Sequence, residues 1–194
     1  MQIQEIIAAV LERTHQAGGL KAVYFVGCGG SQAAIFPGKY LLDCESKTLS
    51  IKIYNSNEFV HCPPVKLDGQ CLVICCSLKA TAETVEAVKT ANNAGAVTIA
   101  MTGSMETGMA QVGQYVVTYS NGDHQVYSQG NQAQALRIAF ELLHQLEGYA
   151  HYEEAMESFD QIDEIIAEAK ENMLPAAKQF AEEYQKDAMF YVLA

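Results

Sequence analysis

Five short apolar runs alternate with helix-like segments over the first 120 residues, and this alternation constrains the fold more than any other feature of the chain. The runs are AVYFV (22–26), IKIYN (51–55), CLVICC (71–76), AVTIAM (96–101) and QYVVTY (114–119). Three of them are nearly continuous in apolar residues, as expected of strands with helices on both faces. The repeated strand–helix order predicts an α/β fold, a three-layer αβα sandwich built on a five-stranded parallel sheet.

The pattern changes after residue 120 to long helical segments, so C-terminal helices should follow the sheet. One helix is expected in YEEAMESFDQIDEIIAEAKENM, and Pro175 is expected to open a further one. The last residues, DAMFYVLA (187–194), have the composition of a new buried strand. We therefore expect one domain over residues 1–150, a helical linker over 151–186 and the start of a second domain, cut short, over 187–194.

Charge and composition exclude several classes of function. The formal net charge of -11 repels nucleic acid and anionic membranes. No apolar run reaches the roughly 18 residues that span a bilayer, and the N-terminus lacks the features of a signal peptide, so a cytoplasmic protein is expected. The six cysteines form no C-x-x-C pair, which favours reduced, apolar cysteines over a zinc site or a disulfide framework. We expect neither a metal nor another cofactor.

A glycine-rich stretch, GCGGS (27–31), follows the first predicted strand directly. Backbone N–H groups in such a loop, together with the start of a helix, can hold an anion, so Gly29, Gly30 and Ser31 are candidate binding residues. The third glycine of the dinucleotide fingerprint would fall at Gln32, which disfavours a nicotinamide cofactor. The alternative interpretation is a glycine turn that binds no ligand.

A second loop, SLKAT, follows the third predicted strand and leads into a helix. The hydroxyls of Ser77 and Thr81 can cap that helix or donate hydrogen bonds to a phosphate. Lys79 adds a donor of suitable charge unless it is an ordinary surface lysine, and Glu83 lies in the first helical turn. Because ligands of open α/β sheets bind at the carboxyl ends of the strands, both loops should face one crevice.

The stretch YFVGCGGS and the S…T-x-E-T helix start resemble the sugar isomerase (SIS) domain family, whose flavodoxin-like fold binds phosphosugars. The whole chain is similar to the N-terminal half of bacterial fructosamine-6-phosphate deglycases, which carry two such domains. The resemblance implies that Ser31, Ser77 and Thr81 bind the substrate phosphate, with help from the backbone of Gly29 and Gly30. It also implies that a sugar phosphate is the partner molecule, and that glucose 6-phosphate and an amine are released from a fructosamine 6-phosphate without a metal or redox cofactor.

The chain departs from the family in two respects. The second loop of the family commonly has the pattern S-x-S-G-x-T, and here it is one residue shorter. Either Ser77 begins the pattern, or Cys76 and Leu78 occupy the two serine positions. The relatives also carry their catalytic glutamate and histidine in the second domain, so this chain alone is expected to bind without catalysing deglycation. A ketose–aldose or amino-sugar phosphate isomerase and a non-catalytic sugar-phosphate sensor are the alternative functions.

A polar segment, NGDHQVYSQGNQ, follows the fifth predicted strand and precedes a helix. By analogy with related SIS domains, Ser128, Gln129 and Asn131 can donate hydrogen bonds to sugar hydroxyls. The alternative is a polar surface loop in which Asn131 caps the helix. His124 is the one histidine expected in a loop near the crevice, which makes it a weak candidate base. The family resemblance further implies a homodimer or a higher homo-oligomer.

Overall fold

The computed structural model describes residues 1–120, 126–187 and 189. The described helices are α1 (Ile3–Gln16), α2 (Gly30–Glu45), α3 (Ser56–His61), α4 (Ala82–Asn93), α5 (Gly108–Val112), α6 (Asn131–Glu147) and α7 (Tyr152–Tyr184). The described strands are β1 (Ala22–Gly27), β2 (Ser50–Asn55), β3 (Cys71–Cys76), β4 (Val97–Thr102) and β5 (Tyr115–Thr118). His124 and the predicted terminal strand FYVLA lie outside the described residues.

The sheet confirms the predicted α/β class. Its order is β2-β1-β3-β4-β5, and every neighbouring pair is parallel. One apolar core lies between the sheet and helices α1, α2 and α6, and the other between the sheet and α3, α4 and α5. The strands β1, β3 and β4 are buried along their whole length, which explains their continuous apolar sequences.

The strand order reverses beside β1, because the chain moves from β1 to β2 on one side and later returns to place β3 on the other. Helix α2 then leaves the sheet on one face and α4 on the opposite face. In flavodoxin-like sheets of this order, a crevice opens at such a switch point, outside the carboxyl ends of the two strands.

A close helix–helix contact fixes the position of α2. A Cβ atom added to Gly38 in α2 would lie 2.6 Å from the backbone oxygen of Ala135 in α6. Only a residue without a side chain allows the two backbones to approach this closely. At the other end of α6, the Glu147 carboxylate accepts hydrogen bonds from the Ser46 hydroxyl at 2.6 Å and from the backbone N–H of Lys47 at 2.9 Å, which anchors the turn between α2 and β2.

Helix α7 is one continuous helix of 33 residues, so the expectation that Pro175 opens a separate helix was wrong. Proline removes one N–H donor and crowds the carbonyl four residues earlier, which usually breaks a buried helix. Here every residue from 167 to 187 is exposed, so water can satisfy the carbonyl that loses its partner.

The predicted domain boundaries stay predictions. Among the described residues, no helix combines the length and apolarity needed to cross a membrane.

Candidate ligand-binding site

Two loops begin side by side at the switch point of the sheet. Gly27, the last residue of β1, pairs with Cys76, the last residue of β3. The loop of residues 27–31 therefore starts next to the loop of residues 77–81. We call them the first and the second loop, and the strand register places the two loops next to each other at the carboxyl edge of the sheet.

The first loop leaves open space above its backbone. Gly29 adopts φ +52° and ψ -125°, a conformation that favours glycine, and Gly30 begins α2. A Cβ atom added to Gly29 or Gly30 would meet no atom within 4 Å. In the part of the chain that the structure describes, the amides of Gly30 and Gln32 have no hydrogen-bond acceptor. The first turn of α2 thus presents unused donors to the space over the loop.

Hydroxyl groups connect the second loop to the interior. The Ser77 Oγ accepts a hydrogen bond from the backbone N–H of Thr81 at 3.0 Å. The Thr81 hydroxyl contacts that of Thr84 at 2.8 Å, and Thr84 contacts Ser56 at 2.9 Å. Ser56 and Thr84 are fully buried, whereas Thr81 is exposed. The chain of hydroxyls therefore runs from the core to the surface of the crevice and holds Thr81 in place.

The start of α4 supplies further donors to the same crevice. Thr81 occupies the N-cap position, but its side chain makes no capping hydrogen bond. Within the described residues, the amides of Ala82 and Glu83 also lack an acceptor. Lys79 and Glu83 both have exposed side chains here, so one basic and one acidic group flank the crevice. Two helix starts with free amides make the crevice suitable for an anion.

The backbone of Ala80 bears on the two alignments of the second loop. Ala80 adopts φ +54°, in the left-handed region that favours glycine. The alignment that begins at Ser77 places Ala80 at the glycine of the SIS pattern, and the conformation supports that alignment. In that alignment, Lys79 takes the place of the second serine, and an ammonium group stands at a position where the family has a hydroxyl.

A buried cluster lies beneath the first loop. The nearby Ser31 hydroxyl acts to lower the pKa of the Cys76 thiol and of the Tyr119 hydroxyl, as a donor to either group would. The Cys76 Sγ lies 3.8 Å from the Tyr119 hydroxyl oxygen, to which it donates. Burial raises the pKa of Cys76 to about 11 and also raises the pKa of Tyr119, so both groups stay protonated at neutral pH.

The structure places the third predicted group of site residues elsewhere. The Ser128 hydroxyl donates to the Asp163 carboxylate of α7 at 2.6 Å, which lowers the pKa of that carboxyl. Ser128 and Gln129 line a cavity of about 780 Å³ beside β5, and none of its lining residues belongs to the two loops. Gly130, rather than Asn131, is the N-cap of α6, and Asn131 Oδ1 accepts from the Gln132 N–H at 2.8 Å.

The sequence interpretation missed two residues of the site. Ser56 follows Asn55, whose side chain caps α3 in a capping box with Glu58, and this N-x-x-E spacing was the available signal. Tyr119 had no local signal, because its hydroxyl reaches Cys76 beneath the first loop only through the tertiary fold.

The described part of the chain offers no other obvious reactive centre. It contains no group of three or more His, Cys, Asp or Glu side chains that could hold a metal ion. The four described histidines lie outside the two loops, at positions 15, 61, 144 and 151. The chemistry of the crevice is therefore hydrogen-bond donation from amides and hydroxyls, with one ammonium and one carboxylate at its edge.

Comparison with known proteins gives a consistent result. No family model matches the sequence. The chain is 40% identical over 173 residues to the fructosamine deglycase FrlB of Bacillus subtilis (strain 168), a match that covers 89% of this chain and 53% of that protein. The solved structure of a candidate phosphosugar isomerase from Salmonella typhimurium LT2 superposes with a TM-score of 0.88 at 34% identity, over 95% of this chain and 55% of that one.

A second solved structure agrees. A candidate phosphosugar isomerase from Bacillus subtilis superposes with a TM-score of 0.87 at 36% identity and covers 97% of this chain and 56% of that one. The chain thus spans about half the length of the relatives that it matches.

Proposed function

The chain belongs to the sugar isomerase (SIS) domain family, and from this premise we propose that it binds the phosphate group of a phosphorylated sugar between the first and the second loop. The observation that carries the proposal is the arrangement of donors at the switch point. Unpaired amides lie at the starts of α2 and α4, and the space over Gly29 and Gly30 is open. Ser31 and Thr81 supply hydroxyls in the two loops, whereas Ser77 is buried and its hydroxyl is hydrogen-bonded to Thr81.

An anionic ligand suits these donors better than a neutral one. A phosphate oxygen accepts but does not donate hydrogen bonds, and bonds to a charged acceptor are the stronger kind. Lys79 adds a positive charge at the edge of the crevice. Glu83 repels an anion in principle, but its exposed position lets water screen the charge.

The specific substrate that we propose is a fructosamine 6-phosphate, on the strength of the 40% identity to a fructosamine deglycase. Deglycation moves a proton from C1 to C2 of the ketoamine, and water then releases glucose 6-phosphate and the free amine. The proton transfer needs a carboxylate or imidazole within hydrogen-bond reach of the reacting carbons. Among the described residues of the two loops and the first turn of α4, Glu83 is the one such group, and it is exposed. The proposed part of this chain in the reaction is therefore to hold the phosphate.

Calorimetry tests the binding proposal directly. We expect glucose 6-phosphate to bind at least about tenfold more tightly than glucose, since charge-assisted hydrogen bonds are lost without the phosphate. Equal affinities would contradict it. Product analysis with fructoselysine 6-phosphate and with fructose 6-phosphate, on a protein that contains the whole catalytic apparatus, would then separate a deglycase from an isomerase.

We further propose a cytoplasmic homo-oligomer built on a twofold axis. All six cysteines are free, which suits a reducing compartment. Several large apolar side chains are exposed, among them Phe36 and Tyr40 on α2 and Ile165 and Met173 on α7. Symmetric pairing is the common way to cover such surfaces. Light scattering at micromolar concentration tests the proposal, and a monomeric mass would contradict it.

A further inference from the structure

Three hydroxyl groups form a chain from the core of the domain to the second loop. The Ser56 Oγ lies 2.9 Å from the Thr84 Oγ1, which in turn lies 2.8 Å from the Thr81 Oγ1. Ser56 and Thr84 are both 0% exposed, whereas Thr81 is exposed at the start of α4. At each of the two contacts either hydroxyl can be the donor, so the other partners of each group decide the direction of the chain.

The two buried protons leave one direction open. Among the described residues, Ser56 Oγ has no hydrogen-bond partner other than Thr84, and Thr84 Oγ1 has none other than Ser56 and Thr81. If the chain ran inward, from Thr81 to Thr84 to Ser56, the Ser56 proton would be buried without an acceptor, which is costly. If both neighbours donated to Thr84, the Thr84 proton would be the one without an acceptor. Ser56 therefore donates to Thr84, and Thr84 donates to Thr81.

The lone pairs of the Thr81 hydroxyl are then occupied from within the protein. Thr84 donates to its oxygen, and the Ser77 hydroxyl donates to the same oxygen in a longer contact of 3.5 Å. An N-cap threonine usually accepts a backbone N–H of its own helix, but the Thr81 side chain makes no such bond. The Thr81 hydroxyl has no acceptor for its own proton among the described residues. Its exposed proton is thus left for a ligand or for water.

We propose that Thr84 is a positioning residue, which donates its hydroxyl proton to Thr81 and thereby presents Thr81 to the bound phosphate as a hydrogen-bond donor. This inference rests on the proposed function of the two loops. A sugar phosphate near neutral pH is mostly dianionic and its phosphate oxygens accept, so a hydroxyl contributes to binding only through its proton. Hydrogen bonds in series also polarise one another, so the bond from Ser56 to Thr84 makes Thr81 a stronger donor.

A double-mutant cycle on Thr81 and Thr84 tests the proposal, with the affinity for glucose 6-phosphate measured by calorimetry. Thr81→Val should weaken binding about tenfold or more, as expected for a lost bond to a charged group. Thr84→Val should weaken binding about three- to tenfold in the wild-type background and less than about twofold in the Thr81→Val background. Thr84→Ser keeps the hydroxyl and should recover most of the affinity that Thr84→Val loses.

Stability is measured separately by urea denaturation. Thr84→Val leaves the buried Ser56 proton without an acceptor and should lower the urea midpoint. The variant Ser56→Ala/Thr84→Val lacks both hydroxyls, so its midpoint should lie above that of Thr84→Val, while its affinity should stay as weak. Thr14→Val is the matched control and should leave the affinity unchanged, because Thr14 is another fully buried helical threonine and α1 contributes no residue to either loop.

The outcomes are distinguishable. If the wild-type protein binds glucose and glucose 6-phosphate equally, the proposed function fails. If that preference holds but Thr84→Val binds like the wild type, or weakens both backgrounds by the same factor, the role of Thr84 is refuted. The role is also refuted if Ser56→Ala/Thr84→Val regains the wild-type affinity together with its stability, because the loss then follows the fold and not the hydroxyl. If Thr81→Val binds as tightly as the wild type, the outward direction of the chain is wrong.

Discussion

Replacement of Gly30 by alanine should change stability and binding in opposite directions. Gly30 is the first residue of α2, its φ is not in the left-handed region, and an added Cβ atom would touch nothing within 4 Å. A glycine-to-alanine change at such a position stabilises a protein by about 0.4–1 kcal/mol, because the unfolded chain loses freedom. For a protein of this size that is a rise of roughly 1–4 °C in Tm.

The same methyl group would occupy the space that we assign to the phosphate. If it keeps the phosphate from the free amides of α2, one bond to a charged acceptor is lost, at about 1.5–3 kcal/mol. The Kd for glucose 6-phosphate should then rise about 10- to 150-fold. Calorimetry and differential scanning fluorimetry on one preparation measure both effects.

A matched control comes from α5. Gly108 is also the first residue of its helix, and its added Cβ would make an ordinary contact of 3.6 Å with Val85 Cγ2. Gly108→Ala should alter stability slightly and leave binding unchanged. If Gly30→Ala binds glucose 6-phosphate like the wild type, the phosphate does not lie over the first loop. If it lowers Tm, the argument from open space and backbone geometry is wrong.

Three other predictions concern the second loop, the α2–β2 turn and catalysis. Ala80→Gly should stabilise the protein by about 0.5–1 kcal/mol in urea denaturation. The strain energy of a non-glycine residue at φ +54° is larger than the entropy that the unfolded chain gains with glycine. An unchanged or lower urea midpoint would contradict this prediction. Burial acts to raise the pKa of Glu147, but hydrogen bonds from Ser46, Lys47 and Thr48 outweigh it and lower the pKa below 4.5. Glu147 therefore contributes its full stabilisation at pH values above the pKa of the unfolded state, and that contribution is lost as the pH falls through the lower pKa of the folded state. Urea midpoints should consequently drop less between pH 6 and pH 3 in Glu147→Gln than in the wild type. Parallel pH curves for the two proteins would refute this prediction. The 194-residue chain alone should release no glucose 6-phosphate from fructoselysine 6-phosphate, and turnover comparable to that of a full-length relative would make Glu83 and His124 the first residues to mutate.

The sheet could be predicted from the sequence because burial on both faces leaves a local record. Every residue of CLVICC is apolar or small, and β3 matches that run residue for residue. Helix α3 escaped prediction because its six residues are too few to show a helical period. Pro175 was misinterpreted because an interior proline removes one hydrogen bond from a helix but does not always end it, and α7 continues through Pro175 as α2 continues through Pro37.

The site was predictable in the same uneven way. Glycines and hydroxyls directly after a strand show in the sequence, so both loops could be proposed from it, and the structure places them at adjacent strand ends. The buried pair of Cys76 and Tyr119 depends on a contact between distant segments, which no local pattern records. The position of Ser128 depends on Asp163 of α7, a helix whose path only the tertiary structure fixes.

The close approach of Gly38 to Ala135 also bears on how sequences of this family can diverge. Because any side chain at position 38 would meet the backbone of α6 at 2.6 Å, the helix would have to move away before a larger residue could be tolerated. Such a shift would carry the start of α2, and with it the first loop, out of line with β1. Among homologues that keep the first loop, position 38 should therefore remain glycine whatever residue occupies position 135, because the contact is with the backbone of α6.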